Sequence, residues 1–168
     1  MNKILETDRL ILRELTNTDS PFIYELLNSP GWLQYIGNRN INSDEDAQKY
    51  IINGPIKSYE SNGYGLWLVS LKTDNSPIGL CGILKRDALD APDIGFAFLD
   101  AFMDKGYAVE IAKAVLDFAN HTLKLKIILG ITALNNTKSI KLLEKIGLKY
   151  IENIDYNGEL LKLYKITF

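Results

Sequence analysis

The chain is poor in the residues that usually announce a metal or redox site. Its 168 residues include one cysteine, Cys81, and one histidine, His121. A single cysteine excludes an internal disulfide and any multi-cysteine metal site, which fits a reducing compartment. Cys81 reads as a small apolar residue on a strand. No apolar run reaches the length of a membrane helix, and Glu6, Asp8 and Arg9 stand where a leader peptide would be apolar. The expectation is a cytoplasmic protein with no membrane partner and no metal. Strong charge of one sign is missing too, since 19 Lys and Arg face 21 Asp and Glu and the basic residues are scattered. Nucleic acid therefore has no electrostatic footprint here. Repeats, low-complexity tracts and linker-like stretches are also lacking, and 46% hydrophobic content suits one buried core. We expect a single domain over residues 1–168.

What is present begins with the β-favouring run Arg9 to Leu15, a first strand, followed by Thr18-Asp-Ser-Pro21, which caps a helix reaching about Asn28. Ser29-Pro-Gly31 stops that helix. A second helix starts at Ser43-Asp-Glu-Asp46 and runs toward Tyr59, with Gly54-Pro55 expected to kink or interrupt it. Strands are expected over Tyr64–Leu71, Pro77–Lys85 and Pro92–Leu99. From Ala108 the apolar residues Ile111, Ala112, Val115 and Ala119 recur at helical spacing, while Glu110, Lys113, Asp117 and Asn120 fall on a wet face. Lys126 to Thr132 is apolar on both faces, as a central strand is, so strand, helix and strand form a right-handed parallel crossover. Asn136 can cap the next helix, Gly147 can end it, and Asn157-Gly158 tips a closing hairpin. The fold class is α/β (α+β), a mixed, mostly antiparallel sheet with helices on its faces.

The most informative stretch is Phe96-Ala-Phe-Leu-Asp-Ala-Phe-Met-Asp-Lys-Gly-Tyr-Ala-Val-Glu110, where a strand turns through Gly106 into a long amphipathic helix. The first N–H groups of a helix lack internal partners and carry the positive end of its dipole, so such a turn suits a pyrophosphate. About thirty residues on comes Asn135-Asn-Thr-Lys-Ser-Ile-Lys-Leu-Leu-Glu-Lys-Ile-Gly147. Together the two segments resemble the GNAT N-acetyltransferase superfamily. Its Gln/Arg-x-x-Gly-x-Gly/Ala turn is matched by Gly106 and Ala108. Its Asn-x-x-Ser-x-x-Leu-x-Glu-Lys-x-Gly helix is matched by Asn136, Ser139, Leu142, Glu144, Lys145 and Gly147. The opening Thr7-Asp-Arg-Leu-Ile-Leu-Arg13, with Asp93-Ile-Gly-Phe96 and Lys105-Gly-Tyr-Ala108, is similar to the RimJ/RimL-like branch, whose best-known members acetylate N-terminal amines of ribosomal proteins.

The resemblance implies a GNAT fold in which the strands around Pro92–Leu99 and Lys126–Thr132 splay apart to admit acetyl-coenzyme A. The implied cofactor contacts are Phe96, Ala97, Phe98, Met103, Asp104, Lys105, Gly106, Tyr107, Ala108, Asn136 and Ser139. Ser139 is also the implied proton relay to the leaving sulfur; its other reading is a first-turn serine satisfying a helix N–H. Alternation places Ile94, Phe96 and Phe98 on one face and Asp93, Gly95 and Ala97 on the other. Asp93 then overlooks a face of small residues as a candidate general base, or else it starts the strand or pairs with a surface lysine. Trp32, Tyr35 and Ile36 are either an acceptor-side wall or core packing. His121 lies far from the turn and reads as solvated or capping. Two positions depart from the family: Met103 stands where Gln or Arg is usual and Asp104 where glycine is frequent. Asp104 is expected to face outward, with Lys105 offsetting its charge.

An α-amine, with a pKa of about 7.7–8.0, is about a tenth or more neutral at pH 7, whereas a lysine near about 10.4 is neutral in fewer than about one molecule in a thousand. The expected partner is thus a primary amine, with a protein N-terminus leading and a second copy of the chain, as a homodimer, admitted by the resemblance. The alternatives are a small-molecule amine acetyltransferase and a non-catalytic coenzyme A sensor.

Overall fold

A computed structural model describes residues 2–168. The chain opens with β1 (Lys3–Glu6) and β2 (Leu10–Arg13), an antiparallel pair. Sequence reading expects only the second, because Lys-Ile-Leu-Glu is too short to show a burial rhythm; it becomes a strand through pairing with β2. A 3-10 turn at Asn17–Asp19 leads into α1 (Ser20–Leu27). Arg13 grips Asp19 bidentately, with both N–O distances 2.8 Å, and so ties β2 to the start of α1.

The next element differs from expectation. Ser29-Pro30 does not merely stop α1 but starts α2 (Pro30–Tyr35), with Ser29 extended at the cap and Pro30 in the first turn, where its missing N–H is not needed. Then α3 (Asp44–Ile51), capped by the Ser43 hydroxyl accepting from Asp46 N at 3.1 Å, passes through a π-helical turn at Ile52–Ile56 into α4 (Lys57–Asn62). Pro55 sits inside this turn, so the wider winding absorbs the proline and the helix changes pitch without stopping.

Three antiparallel strands follow, β3 (Leu66–Leu71), β4 (Pro77–Leu84) and β5 (Asp93–Phe98), then α5 (Tyr107–His121), β6 (Ile127–Ala133), α6 (Thr137–Lys145), β7 (Lys149–Tyr156) and β8 (Glu159–Thr167). The β7–β8 turn has positive φ at both Asn157 (52°) and Gly158 (84°), the backbone a two-residue hairpin requires. The sheet order is β1-β2-β3-β4-β5-β6-β8-β7, and β5 with β6 is its parallel pair.

Two cores lie on opposite faces. Trp67, Ile78, Cys81, Ile83, Ile94, Phe98, Ile128 and Tyr164 pack with Ile111, Ala112, Val115 and Ala119 of α5 and with Leu142 and Leu143 of α6. On the other face Leu68 and Leu80 meet Phe22, Ile23, Leu26, Trp32, Ala47 and Ile51 from α1, α2 and α3. The mixed α/β sheet with helices on both faces is therefore as expected from the sequence. Among the described residues, no helix is long and apolar enough to cross a membrane.

Candidate active site

The site is built on a gap in the sheet. Among the described residues, Asp93 and Leu129 are the one register pair between β5 and β6, reinforced by Leu129 N donating to Pro92 O at 2.8 Å. Away from the gap, β5 pairs with β4 from Asp93↔Leu84 to Phe98↔Gly79, and β6 pairs with β8 from Ile127↔Thr167 to Ala133↔Leu161. The facing edges from Ile94 to Phe98 and from Gly130 to Ala133 are left without strand partners. Backbone N–H and C=O groups do not stay unpaired without a cost, so this wedge can take a ligand carrying amides of its own.

At the open end of the wedge lies the turn into α5. Gly106 caps the helix in the left-handed conformation (φ 80°, ψ 0°), and the first helical bond is Glu110 N to Gly106 O at 3.1 Å. The N–H groups of Gly106 through Val109 thus have no carbonyl behind them and make a candidate anion cradle. A Cβ at Gly106 would stand 3.3 Å from Arg9 Nη2 and would force a strained φ on any other residue.

The opening motif explains how this turn is held. Arg9 Nε donates to Glu110 Oε2 at 2.7 Å, Arg9 N and Thr7 Oγ1 donate to Glu110 Oε1 at 3.0 and 2.6 Å, and Arg9 Nη1 donates to Lys105 O at 3.1 Å. The guanidinium also lies over the Tyr107 ring, 4.5 Å from its centroid. Glu110, assigned to a wet face by helical spacing, instead clamps the β1–β2 turn to the first turn of α5. Burial would raise its carboxyl, but the hydrogen bonds from Thr7 and Arg9 hold it below the usual range. The sequence signal for this clamp was the Thr7/Arg9 motif itself, without its partner.

Of the expected contacts, Phe96 and Ala97 lie half-buried on the free edge of β5, whereas the Phe98 ring covers Gly79 and only its backbone faces the gap. Met103 turns its methyl toward Gly31 of α2, an apolar use of a position where the family carries a polar side chain. Asp104, at φ 60°, is exposed as expected, but its charge is met by Lys138 of α6 at 2.8 Å. Lys105 does not supply it; its ammonium lies over the Phe102 ring, 5.7 Å from the centroid. The left-handed backbone at Asp104 aims the carboxylate across to α6, away from its neighbour in the chain. Asn136 caps α6, its side-chain oxygen accepting from Ser139 N at 3.2 Å, and leaves the Ser139 hydroxyl half-exposed on the first turn.

Asp93 is 1% exposed, and both its oxygens accept from Arg86 Nε, at 2.9 and 3.1 Å. Arg86 in turn reaches Tyr156 Oη at 3.4 Å and lies near its ring. Burial pushes the Asp93 carboxyl up to about 6 against the pull of Arg86. Sequence reading saw Asp93 but not its partners, which arrive from the β4–β5 loop and from β7. The face of small residues that Asp93 was expected to overlook offers no room for a ligand at Gly95, since a Cβ there would meet Leu84 Cδ1 at 2.7 Å and Leu66 Cδ2 at 3.2 Å.

Trp32 is 6% exposed and joins the helix-side core, Tyr35 is half-buried, and Ile36 is 40% exposed. The three therefore divide, with Trp32 packed and Ile36 presented. His121 ends α5 with Nδ1 3.0 Å from Asp117 O, remote from the turn.

The family described as the Acetyltransferase (GNAT) domain matches residues 9–149, a span holding the Arg9 clamp, the Gly106 cradle, the wedge and α6. The chain belongs to the GNAT acetyltransferase family. A Bacillus subtilis (strain 168) relative described as the uncharacterized N-acetyltransferase YoaA is 30% identical over 149 residues, 88% of this chain and 83% of its own. A solved acetyltransferase from Agrobacterium tumefaciens superposes with a TM-score of 0.84 at 23% identity, covering 100% of this chain and 95% of its own. RimL, described as a ribosomal L7/L12 α-N-protein acetyltransferase in complex with coenzyme A, gives 0.85 at 17%, covering 99% and 98%. GNAT acetyltransferases use acetyl-coenzyme A. The residues here fit that group: a helix start with free N–H groups for a pyrophosphate, a glycine where a Cβ would crowd Arg9, and two unpaired strand edges for the amides of a pantetheine arm.

Proposed function

We propose that this GNAT domain transfers acetyl from acetyl-coenzyme A to a primary amine, the α-amine of a protein N-terminus, as in the RimJ/RimL-like branch. The observation that carries the reading is the parting of β5 from β6 after Asp93 and Leu129, with the Gly106 cradle at its mouth. The protein N-terminus is supported by the fold likeness to RimL and by the chemistry of the amine. An α-amine is about a tenth or more neutral at pH 7 and needs only a weak base.

Bound acetyl-coenzyme A supplies an activated acetyl thioester. The chain's own part is to hold the pyrophosphate on the Gly106 to Val109 amides and to align the arm along the edges of β5 and β6. As the amine nitrogen bonds the acetyl carbon and the C–S bond breaks, the Ser139 hydroxyl would hydrogen-bond the departing sulfur and relay to it the proton that the nitrogen gives up. Asp93, with its carboxyl pushed up to about 6, is matched to accept a proton from an ammonium near neutral pH. Its oxygens keep lone pairs beyond those used by Arg86, so it can take that proton directly or through a water. Ile36 and Tyr35 form the exposed part of the acceptor wall.

The test is a panel in which purified protein and acetyl-coenzyme A meet N-terminal peptides and small amines such as polyamines and amino acids, with products identified by mass. Acetylation of peptide α-amines is expected. Turnover confined to small amines would move the acceptor class, and cofactor binding without any transfer would make the protein a sensor.

A further inference from the structure

One buried polar atom beside the wedge has no partner within the protein. Thr132 is 6% exposed, and among the described residues its Oγ1 makes no hydrogen bond. It lies on β6 three residues past Leu129, roughly 10 Å beyond the last rung shared with β5. Its backbone therefore belongs to the free edge between Gly130 and Ala133, while the opposite edge is fully occupied by β8, with Thr132 facing Lys162.

Alternation puts the Thr132 side chain on the face shared by Ile128 and Gly130. That face is otherwise apolar and tight, because a Cβ at Gly130 would meet Leu143 Cδ2 at 2.7 Å and Leu148 Cδ2 at 3.1 Å. It is also the face covered by α5 and α6, whose N-termini frame the mouth of the wedge. Valine would fill the same volume there without burying a hydroxyl. A threonine is a poor choice for packing alone and a good one if something polar enters the gap beside it.

We propose that Thr132 Oγ1 is a binding contact for the acyl-pantetheine arm, its hydroxyl hydrogen-bonding an amide or thioester carbonyl oxygen of the arm as it lies between β5 and β6. The assignment rests on the acetyl-coenzyme A reading of the wedge. It adds to the backbone edges a side chain that senses the arm itself and not the nucleotide end of the cofactor.

The experiment compares wild type, Thr132→Val and Thr132→Ser by thermal melting and by titration with two ligands, acetyl-coenzyme A and adenosine 3′,5′-bisphosphate, which lacks the arm. In the absence of ligand, Thr132→Val should melt at or above the wild-type temperature, because it removes a buried hydroxyl with no partner. Its dissociation constant for acetyl-coenzyme A should rise roughly three- to tenfold, the size of one neutral hydrogen bond. Affinity for the bisphosphate should not change, and Thr132→Ser should bind acetyl-coenzyme A as wild type does. Wild-type affinity for acetyl-coenzyme A in Thr132→Val overturns the inference alone. So does a free protein that melts lower and loses both ligands equally, since that assigns the hydroxyl to an internal water or to structure. A wild-type protein that binds neither ligand overturns the reading of the wedge, and this inference with it.

Discussion

Ser139 and Asp93 carry opposite kinds of burden. Ser139 is half-exposed on the first turn of α6, and its backbone N–H is already satisfied by Asn136, so its hydroxyl is not needed to cap the helix. Ser139→Ala should therefore leave stability nearly unchanged. In the proposed role it should lower kcat on the order of tenfold to a hundredfold at unchanged cofactor affinity, because a bond to the sulfur would strengthen as charge develops there. Steady-state kinetics with a direct cofactor titration check this, and a wild-type rate would return Ser139 to the helix alone. Asp93 is a matter of burial. Its folded carboxyl is raised to about 6 and its unfolded one titrates near about 3.9. Between those values the native state holds more protons than the unfolded state, so stability contributed by the protonated form is full below pH 4 and lost as pH rises to 6. Urea unfolding of wild type and Asp93→Asn should show the wild type losing ground relative to the variant across that window. A difference that is flat with pH would place the carboxyl in its ordinary range.

The turn from β5 into α5 works only as part of a larger assembly. Its glycine provides the left-handed cap, Arg9 and Thr7 hold Glu110, and Lys138 meets Asp104. Gly106→Val is expected to abolish cofactor binding, since a β-branched residue both disfavours a φ of 80° and crowds Arg9. Glu110→Ala removes three hydrogen bonds that cross between the β1–β2 turn and α5. Part of the pair is exposed, so the loss of stability should be only about 1–2 kcal/mol, read by urea denaturation. The loosened cradle should show mainly as a weaker affinity for acetyl-coenzyme A at similar kcat. A Glu110→Ala protein with wild-type affinity would show that the cradle holds its shape without the clamp.

For the molecule as a whole, the parted strands leave backbone groups of two central strands without protein partners, and a ligand that pairs them would stabilise the fold. Acetyl-coenzyme A at about a hundred times its dissociation constant should add about 2.7 kcal/mol. For a chain of 168 residues that corresponds to a rise in Tm of roughly 5–11 °C. Differential scanning fluorimetry measures it directly, and an unshifted transition at saturating ligand would mean that the wedge is degenerate.

Local chemistry was legible in the chain because its causes are local. The period of Ile111, Ala112, Val115 and Ala119 announces α5, Gly106 before that run announces its left-handed cap, and Asn157-Gly158 announces the hairpin. α2 was missed because Ser29-Pro30 after one helix serves equally as a stop and as a start, and the short β1 was not legible, since it depends on pairing with β2 more than on its own composition. The same holds for the partners of the site. Glu110 meets Arg9 across 101 positions and Arg86 meets Tyr156 across 70, separations over which a linear pattern carries no register. The space beside Gly95 shows the limit most plainly: a missing side chain is visible in the sequence, but only packing decides whether ligand or Leu84 fills the room. Residue types and periodicity thus set the elements and the candidate chemistry, while long-range contacts decided which charges pair, which glycine leaves space and where β5 and β6 part.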